Sequence, residues 1–479
     1  MEDQNLEKFF LNGILVDASV KESNIKENEL DALIKTLKEK GITFLDLRTL
    51  HDILSEPETG SNGSVEIIKN YEGDTSASKP ADWTVYFNDR FNRIKNILMT
   101  KDSGLMSLSN AKLLSMGSEV KVIAMISNVS ISPIKKFMIL DIEDNVTNYR
   151  ALSSIINQDV LQDQIVIIKG KKSKDAIFIT EITFPDIQMK DNNQPDIPDA
   201  YVLFLSDVHV GSKLFAREPL EKFLKWINGE VEEYSNIAKL VKFIVITGDL
   251  VDGIGVYPDQ EKELAITDLK KQYEELCTML ARIPKHIKLI ISQGNHDATH
   301  IAEPQPRVDA FFGDSLYKLE NAIFLSNPYQ INLIINNHKT NLIGYHGFSI
   351  PYYADTIAKY NKMDPDDIEA IMKLHLRSRH LAPTHGSTQV VPLARDYLVI
   401  DETPDIYATG HIHKTLVSKY KDTLLINASC WQYQTSYQKK YGQIPDVAKI
   451  PVVNLRTKEA QILDFLGEKV QISRKGIKT

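Results

Sequence analysis

Cysteine is nearly absent from this 479-residue chain, which has only Cys277 and Cys430. The two lie far apart and form no metal-ligand spacing, so a thiolate zinc module is excluded and a reduced, cytoplasmic setting is expected. The opening Met-Glu-Asp-Gln-Asn lacks the basic-then-apolar pattern of a secretory signal. No apolar run approaches bilayer-spanning length, so no membrane role is expected. A phosphate-cradling glycine-rich loop is missing too, as is any repeat or low-complexity tract.

What is present is enough apolar residue for real cores, 43% of the chain, and enough length for two or three domains. The net charge of −8 is uneven. Residues 1–80 carry 9 basic against 16 acidic side chains, residues 81–190 carry 14 against 12, and the remainder is again mildly acidic. An acidic N-terminal region suits a tether or a partner surface better than nucleic acid. In the middle, Lys169, Lys171, Lys172 and Lys174 fall within six residues. Such a cluster can meet phosphates, although a solvated hairpin turn is the simpler account.

Composition divides the chain into four parts. Residues 1–52 read as a small helical module, in which Leu30, Leu33, Ile34 and Leu37 share one face. Residues 53–80, rich in Gly, Ser, Glu and Pro, read as a flexible linker. Residues 81–190 hold short β-like runs at Val120–Ile126, Phe137–Ile142, Ile165–Lys169 and Ala176–Ile182, with a possible helix around Leu152–Gln158. They fit a five-stranded barrel of the OB type, which periodicity alone does not separate from a small sandwich. After a second, proline-stiffened linker, residues 197–479 alternate apolar runs with helical stretches. This is the pattern of an α/β domain.

Five short blocks carry the chemistry: Asp207-Val208-His209, Gly248-Asp249-Leu250-Val251-Asp252, Gly294-Asn295-His296-Asp297, His346-Gly347 and Gly410-His411-Ile412-His413. Each follows a short apolar run: Tyr201–Leu205, Phe243–Ile246, Ile287–Ile291, Leu342–Tyr345 and Ile406–Ala408. These read as buried strands, which would gather the blocks at the strands' carboxyl ends. Glu261–Ile283 and Asp366–Leu376 read as helices between them. Any one block is commonplace, since Asp-x-His is usually a turn and Gly-Asn-His-Asp suits a tight one. Five unrelated turns do not reproduce this order and this set of ligand types. Phosphodiester hydrolysis needs a nucleophile at neutral pH and neutralisation of the phosphoryl oxygens. Two divalent ions about 3.5–4 Å apart supply both. A carboxylate must then touch both ions, and Asp249 is the candidate. Imidazole, carboxylate and amide ligands without thiolate suit manganese, iron or zinc. Two divalent ions are the expected cofactors, with manganese, iron and zinc all open to this ligand set.

These blocks resemble those of the calcineurin-like metallophosphoesterases. The resemblance implies that Asp207, His209 and His413 hold one ion and Asn295, His346 and His411 the other, with Asp249 between. His296 would then donate a proton or stabilise charge in the transition state, and Asp252 and Asp297 would orient ligands from behind. His51, His286, His300, His338, His375 and His380 are expected to be solvated or structural.

A narrower likeness rests on three further stretches: Asp82–Arg90 entering the barrel, Arg379–Gly386 between the ligand blocks and Asn427–Thr435 after them. With helical module, barrel and phosphoesterase in that order, the chain resembles the small subunits of archaeal family-D DNA polymerases. It is also similar to the B-subunits of eukaryotic replicative polymerases, whose ligands are largely eroded. His385 departs from the pattern, standing where an aromatic residue is expected. The likeness implies a heterodimer with a large catalytic polymerase subunit. It also implies a metal-dependent 3′-to-5′ exonuclease acting on DNA, especially single-stranded 3′ ends. A non-catalytic scaffold and a free-standing metallophosphatase are the competing readings. The intact ligand set weakens the first, and the barrel is unexplained by the second.

Overall fold

The computed structural model describes residues 8–17, 20, 30, 33–35, 37–38, 42–46, 63–73, 79–134, 136–190, 195–474 and 476–478. The chain forms two compact units, Met1–Asn62 and Gly63–Thr479.

In the first unit the described residues are helical at 8–11, 30, 33–35 and 37–38. Phe9, Leu30, Leu33, Ile34 and Leu37 are buried together with Leu45, so the apolar face read from the sequence is an inward face. The module is not helical alone. Strand β1 (Leu15–Val16) pairs in parallel with β2 (Phe44–Leu45). The rest of residues 1–52 lies outside the described residues.

The second unit begins inside the stretch expected to be a linker. Strand β3 (Ser64–Lys69) pairs antiparallel with a strand of the α/β domain, placing Val65 opposite Leu333 and Ile67 opposite Ile331. The flexible-linker reading of 53–80 is therefore wrong for residues 64–69. Glycine and serine around them mask a six-residue strand whose hydrogen-bond partner lies more than 250 residues away. Residues 53–62 and 74–78 lie outside the described residues.

Helix α1 (Pro80–Met99) follows, and a strand-rich reading of 81–190 overlooks it. Pro80 occupies its first turn, where a missing N–H costs nothing, and the Asp82 carboxylate accepts from the Lys79 amide in a capping box. Tyr86, Arg90, Phe91, Ile94 and Leu98 are its buried face. The barrel is closed in the order β4 (Glu119–Ile131), β5 (Met138–Glu143), β6 (Asn148–Ser153), β8 (Ile177–Thr183), β7 (Ile165–Lys172), which excludes the sandwich alternative. Where a helix was expected at Leu152–Gln158, the chain finishes β6 and then turns. Two of the four clustered lysines are bonded within the barrel, and Lys171 and Lys174 are exposed. Lys169 pairs with Asp102 and Glu181, and Lys172 is buried against the Tyr149 hydroxyl.

The α/β domain is a two-sheet sandwich. One sheet contains β9 (Tyr201–Leu205), β10 (Val241–Thr247), β11 (Lys288–Ser292) and β12 (Ala322–Phe324), all parallel. It is extended antiparallel by β18 (Lys449–Asn454), β19 (Ala460–Asp464) and β20 (Gln471–Ile472). The other runs β16 (Leu416–Tyr420), β17 (Thr423–Asn427), β15 (Ile406–Thr409), β14 (His338–Gly344), β13 (Tyr329–Ile335), β3. The strand pleat separates the layers. Val202, Phe204, Phe243 and Val245 face Ile331, Leu342, Ile406 and Ile426 across the middle. Leu203, Leu205, Ile244 and Ile246 point outward to helices at Arg217–Ile227 and Leu269–Leu280. On the far side Ile343, Tyr345 and Tyr407 pack under the helix Pro365–Ser378.

Helix α1 is the wedge between barrel and sandwich. Phe91, Ile94 and Leu98 meet Ile123, Ile165 and Ile167 of the barrel and Val399 of the sandwich. The Arg90 guanidinium, 2% exposed, donates to Asp396 at 2.7 Å, to the Pro383 carbonyl and to the Tyr86 hydroxyl. His385 lies edge-on to Trp83 and Phe87, with ring centroids 4.9 and 5.7 Å away, so an imidazole fills an aromatic slot. Asp82–Arg90 and Arg379–Gly386 are thus two sides of one seam.

Candidate metal centre

Every ligand block sits just beyond the carboxyl end of a strand. Asp207 and His209 follow β9, Asp249 follows β10 and Asn295 follows β11. His346 follows β14, and His411 with His413 follows β15. The blocks converge where the carboxyl ends of both sheets meet. To turn that sharply, Asp207, His209, Asp249, His411 and His413 all adopt left-handed backbone, with φ of 51°, 51°, 47°, 69° and 55°. Each such residue costs on the order of 1–3 kcal/mol, so surrounding packing must hold them there. Close approach also requires glycine at two positions. A Cβ on Gly248 would strike His346 and the Gly294 amide, and one on Gly294 would strike Asp249 and His346.

The side chains form three overlapping sets: Asp207, His209 and His413; His209, Asp249 and His296; Asp249, His346 and His411. Within each set one ligand atom per residue lies within 4.8 Å of the others. Asp249 belongs to two of them, and its two oxygens have separate tasks. Oδ1 accepts from the His296 amide at 2.9 Å. Oδ2 faces the ring nitrogens, 3.4 Å from His346 Nε2 and 3.8 Å from His209 Nε2.

These spacings fit divalent ions. Bonds of about 2.1 Å hold neighbouring ligand atoms roughly 3.0–3.4 Å apart. His209 Nε2 is 3.1 Å from His413 Nε2, His413 Nε2 is 3.3 Å from Asp207 Oδ1, and His346 Nε2 is 3.1 Å from Asn295 Oδ1. Two imidazole nitrogens facing each other at 3.1 Å can share one proton, or both can turn a lone pair on a cation, so the spacing suits ligation. Asp207 Oδ1 is buried and, despite His413 nearby, makes no hydrogen bond.

Polar groups behind the ligands fix their orientation. Asp252 Oδ1 lies 3.1 Å from His209 Nδ1, a charge contact outside hydrogen-bond alignment, and accepts from Gln432 at 2.9 Å, while Gln260 donates to the Asp252 carbonyl. His346 Nδ1 is 2.8 Å from the Thr247 carbonyl, which leaves Nε2 facing the centre. Asp297 ties two blocks together, accepting from the amides of Leu250 and Gly294 and from the Tyr273 hydroxyl. His296 is half-buried. Its Nδ1 lies 2.7 Å from the Asp252 carbonyl, and its Nε2 points inward, 4.0 Å from Asp249 Oδ2.

The site is electrostatically divided. Burial alone would raise the Asp249 carboxyl, but the charges of His346 and His296 outweigh it and hold it well below the usual range. Burial lowers His346 too, yet Asp249 wins and takes it up to about 9. His411 is pushed down to about 3 by burial and by His346. Burial and the neighbouring Asp249 raise Asp297 to about 7. Ligation requires neutral imidazole, so protons compete with cations at His346.

Gln432, Gln260, Gln438 and Tyr273 support the site, and local sequence pattern does not single them out. Only Gln432 falls within a stretch that carries the family likeness, Asn427–Thr435. That stretch buttresses the first ligand block, because the Trp431 amide donates to the Asp207 carbonyl at 2.9 Å. Of the other histidines, His375 is buried against the Tyr407 hydroxyl and His380 against Asp396. His286 is exposed, and His300 and His338 are half-buried. His51 lies outside the described residues.

Residues 200–415, which include every ligand block, match the calcineurin-like phosphoesterase family. Over 470 residues the chain is 33% identical to the DNA polymerase II small subunit of Thermoplasma acidophilum, covering 96% of this chain and 92% of the relative. It is 35% identical to the Methanothermobacter thermautotrophicus protein of the same name, covering 78% of this chain and 77% of that one. The chain belongs to the DNA polymerase II small subunit family. A third member, from Archaeoglobus fulgidus, is 35% identical over 399 residues. Membership of the DNA polymerase II small subunit family spans barrel and phosphoesterase domain alike, which agrees with the seam that joins them. Among the described residues no helix is long and apolar enough to cross a membrane.

Proposed function

We propose that the chain is the small subunit of a two-subunit DNA polymerase and that its centre hydrolyses DNA phosphodiesters from the 3′ end. One observation carries the reading: Asp249 Oδ2 stands between two sets of ligand atoms, His209 with its neighbours and His346 with its neighbours. An oxygen so placed could contribute to both ion sites. Asp207, His209 and His413 would hold one divalent ion, and Asn295, His346 and His411 the other. Bound there, the ions supply an activated water and neutralise phosphoryl charge. Manganese is the first choice, with iron and zinc behind it. His296, with Nδ1–H held on a carbonyl, would present Nε2 to the reacting phosphate and, in its imidazolium form, give the Nε2 proton to the leaving 3′ oxygen. Asp252 holds the His209 ring, and Asp297 holds the two loops.

The large catalytic subunit and single-stranded 3′ ends are the partners this reading requires. Retention of a competent residue at every ligand position opposes a purely scaffolding role. Digestion of a 3′-mismatched primer by the purified chain, with manganese and with or without the large subunit, tests the proposal. Removal of the mismatched nucleotide is expected. A protein that binds the large subunit but leaves the primer intact under both conditions would return the scaffold reading.

A further inference from the structure

The short helix after the last ligand block turns one residue inward and the other four outward. In this helix, α2 (Ser436–Lys440), the buried Gln438 lies 2.9 Å from Nδ1 of His413. A capping box with Thr435 fixes the helix start. The same turns carry Tyr437 and Tyr441 to the surface, 63% and 57% exposed, with ring centroids 4.6 Å apart. Lys440 Nζ lies 5.6 Å from the Tyr441 ring, and Lys439 is exposed beside it. Residues 433–444 contain three tyrosines, two lysines and no acidic side chain, in a chain of net charge −8.

Exposed aromatic faces beside cations are what an unpaired nucleic-acid strand engages, bases on rings and phosphates on ammonium groups. Anchoring through Gln438 puts this surface on the His413 side of the centre. We propose that Tyr437 and Tyr441, flanked by Lys439 and Lys440, are a stacking platform that holds the unpaired 3′ strand as it enters the site. The proposal rests on the DNA phosphodiesterase reading above and names residues that would position its substrate.

The test uses the full chain with two substrates, a single-stranded oligodeoxynucleotide and bis(p-nitrophenyl) phosphate, which has neither nucleobases nor further phosphates for a platform to hold. Tyr437→Ala and Tyr441→Ala are each expected to raise KM for the oligonucleotide about tenfold, with a much smaller effect on the small diester. Tyr437→Phe and Tyr441→Phe keep the ring and are expected to restore it. Replacing both lysines by alanine is expected to flatten the dependence of log Kd on log salt by roughly 0.7 for each phosphate left without its ammonium group. Equal losses on both substrates would show that the tyrosines only steady Gln438 against His413, and would overturn the platform. So would wild-type KM in the alanine variants, with or without loss of large-subunit binding. Binding of fluorescent oligodeoxythymidine in EDTA separates the two readings. Weaker binding by the alanine variants supports the platform even if the wild type cleaves no DNA, whereas cleavage with undiminished variant binding sinks the platform alone.

Discussion

Two places in this molecule bury carboxylates among histidines, and they are built to opposite ends. At the seam, Asp396 receives the Arg90 guanidinium at 2.7 Å, His380 at 2.9 Å and the Leu398 amide at 2.9 Å. Arg90 and His380 outweigh the burial that would raise Asp396, so it stays far below the ordinary carboxylate range. At the metal centre, Asp207 Oδ1 has no hydrogen bond and imidazole nitrogens confront one another. The seam is neutralised by its own side chains. At the centre the carboxylates face imidazoles at ligand spacing instead of a permanent cation, and that difference separates a structural charge cluster from a candidate metal site.

The largest test of the comparison is to take the shared anion from the centre. Asp249→Ala is expected to abolish manganese-dependent nuclease activity while the protein stays folded, because both ion sites lose Oδ2. Cleavage assays with circular dichroism on the same sample check this, and wild-type rates in a folded variant would refute it. His296→Ala comes next. It is expected to keep its metals and lose turnover by roughly 10²–10⁴-fold. Metal analysis decides the role, since an emptied ion site would make His296 a ligand. At the seam, Arg90→Met is expected to leave metal content alone and to destabilise the barrel–phosphoesterase unit by about 3–5 kcal/mol, because Asp396 loses its buried cation. A denaturation midpoint within error of wild type would show that the seam tolerates an uncompensated carboxylate.

The smallest effect is expected from a truncation whose endpoint the structure sets. Lys69 lies in β3, buried, with its ammonium donating to the Val399 carbonyl at 2.8 Å. The Tyr71 ring lies tilted against that of Tyr397, ring centroids 5.4 Å apart. Removing residues 1–62 is expected to leave nuclease activity and large-subunit binding within about twofold. A cut after residue 78 strips β3 from the sheet and exposes the edge of β13. Limited proteolysis and size-exclusion profiles of the two truncations distinguish them, and loss of large-subunit binding on removing 1–62 would place the docking surface on the acidic module.

The parts legible in the sequence are those governed by local pattern. Tyr201–Leu205 is a strand to the residue, and Pro365–Ser378 extends the expected helix by one or two residues at each end. The ligand blocks stand out because metal chemistry and turn chemistry use few residue types. What escapes depends on distant partners. Strand β3 is six ordinary residues whose stability comes from β13. Helix α1 is hidden because Trp83, Val85, Tyr86 and Phe87 favour strands and because Arg90 interrupts its apolar stripe, an arginine made inward by the distant Asp396 and the Pro383 carbonyl. Gln260 and Gln432 are invisible as site residues until folding brings them against Asp252.

The left-handed backbone of Asp207, His209, Asp249, His411 and His413 narrows what could replace them. Among side chains other than glycine, Asn, Asp and His best tolerate that conformation. Both the metal and the main chain therefore draw on the same short alphabet at these five positions. Exchanging His413 for Cys or Asp249 for Glu to retune the centre would change a donor and also ask a less tolerant residue to make the turn. A redesign that kept the backbone would confine itself to Asn, Asp and His, and the range of metals open to this scaffold is bounded by its loops as much as by its ligands.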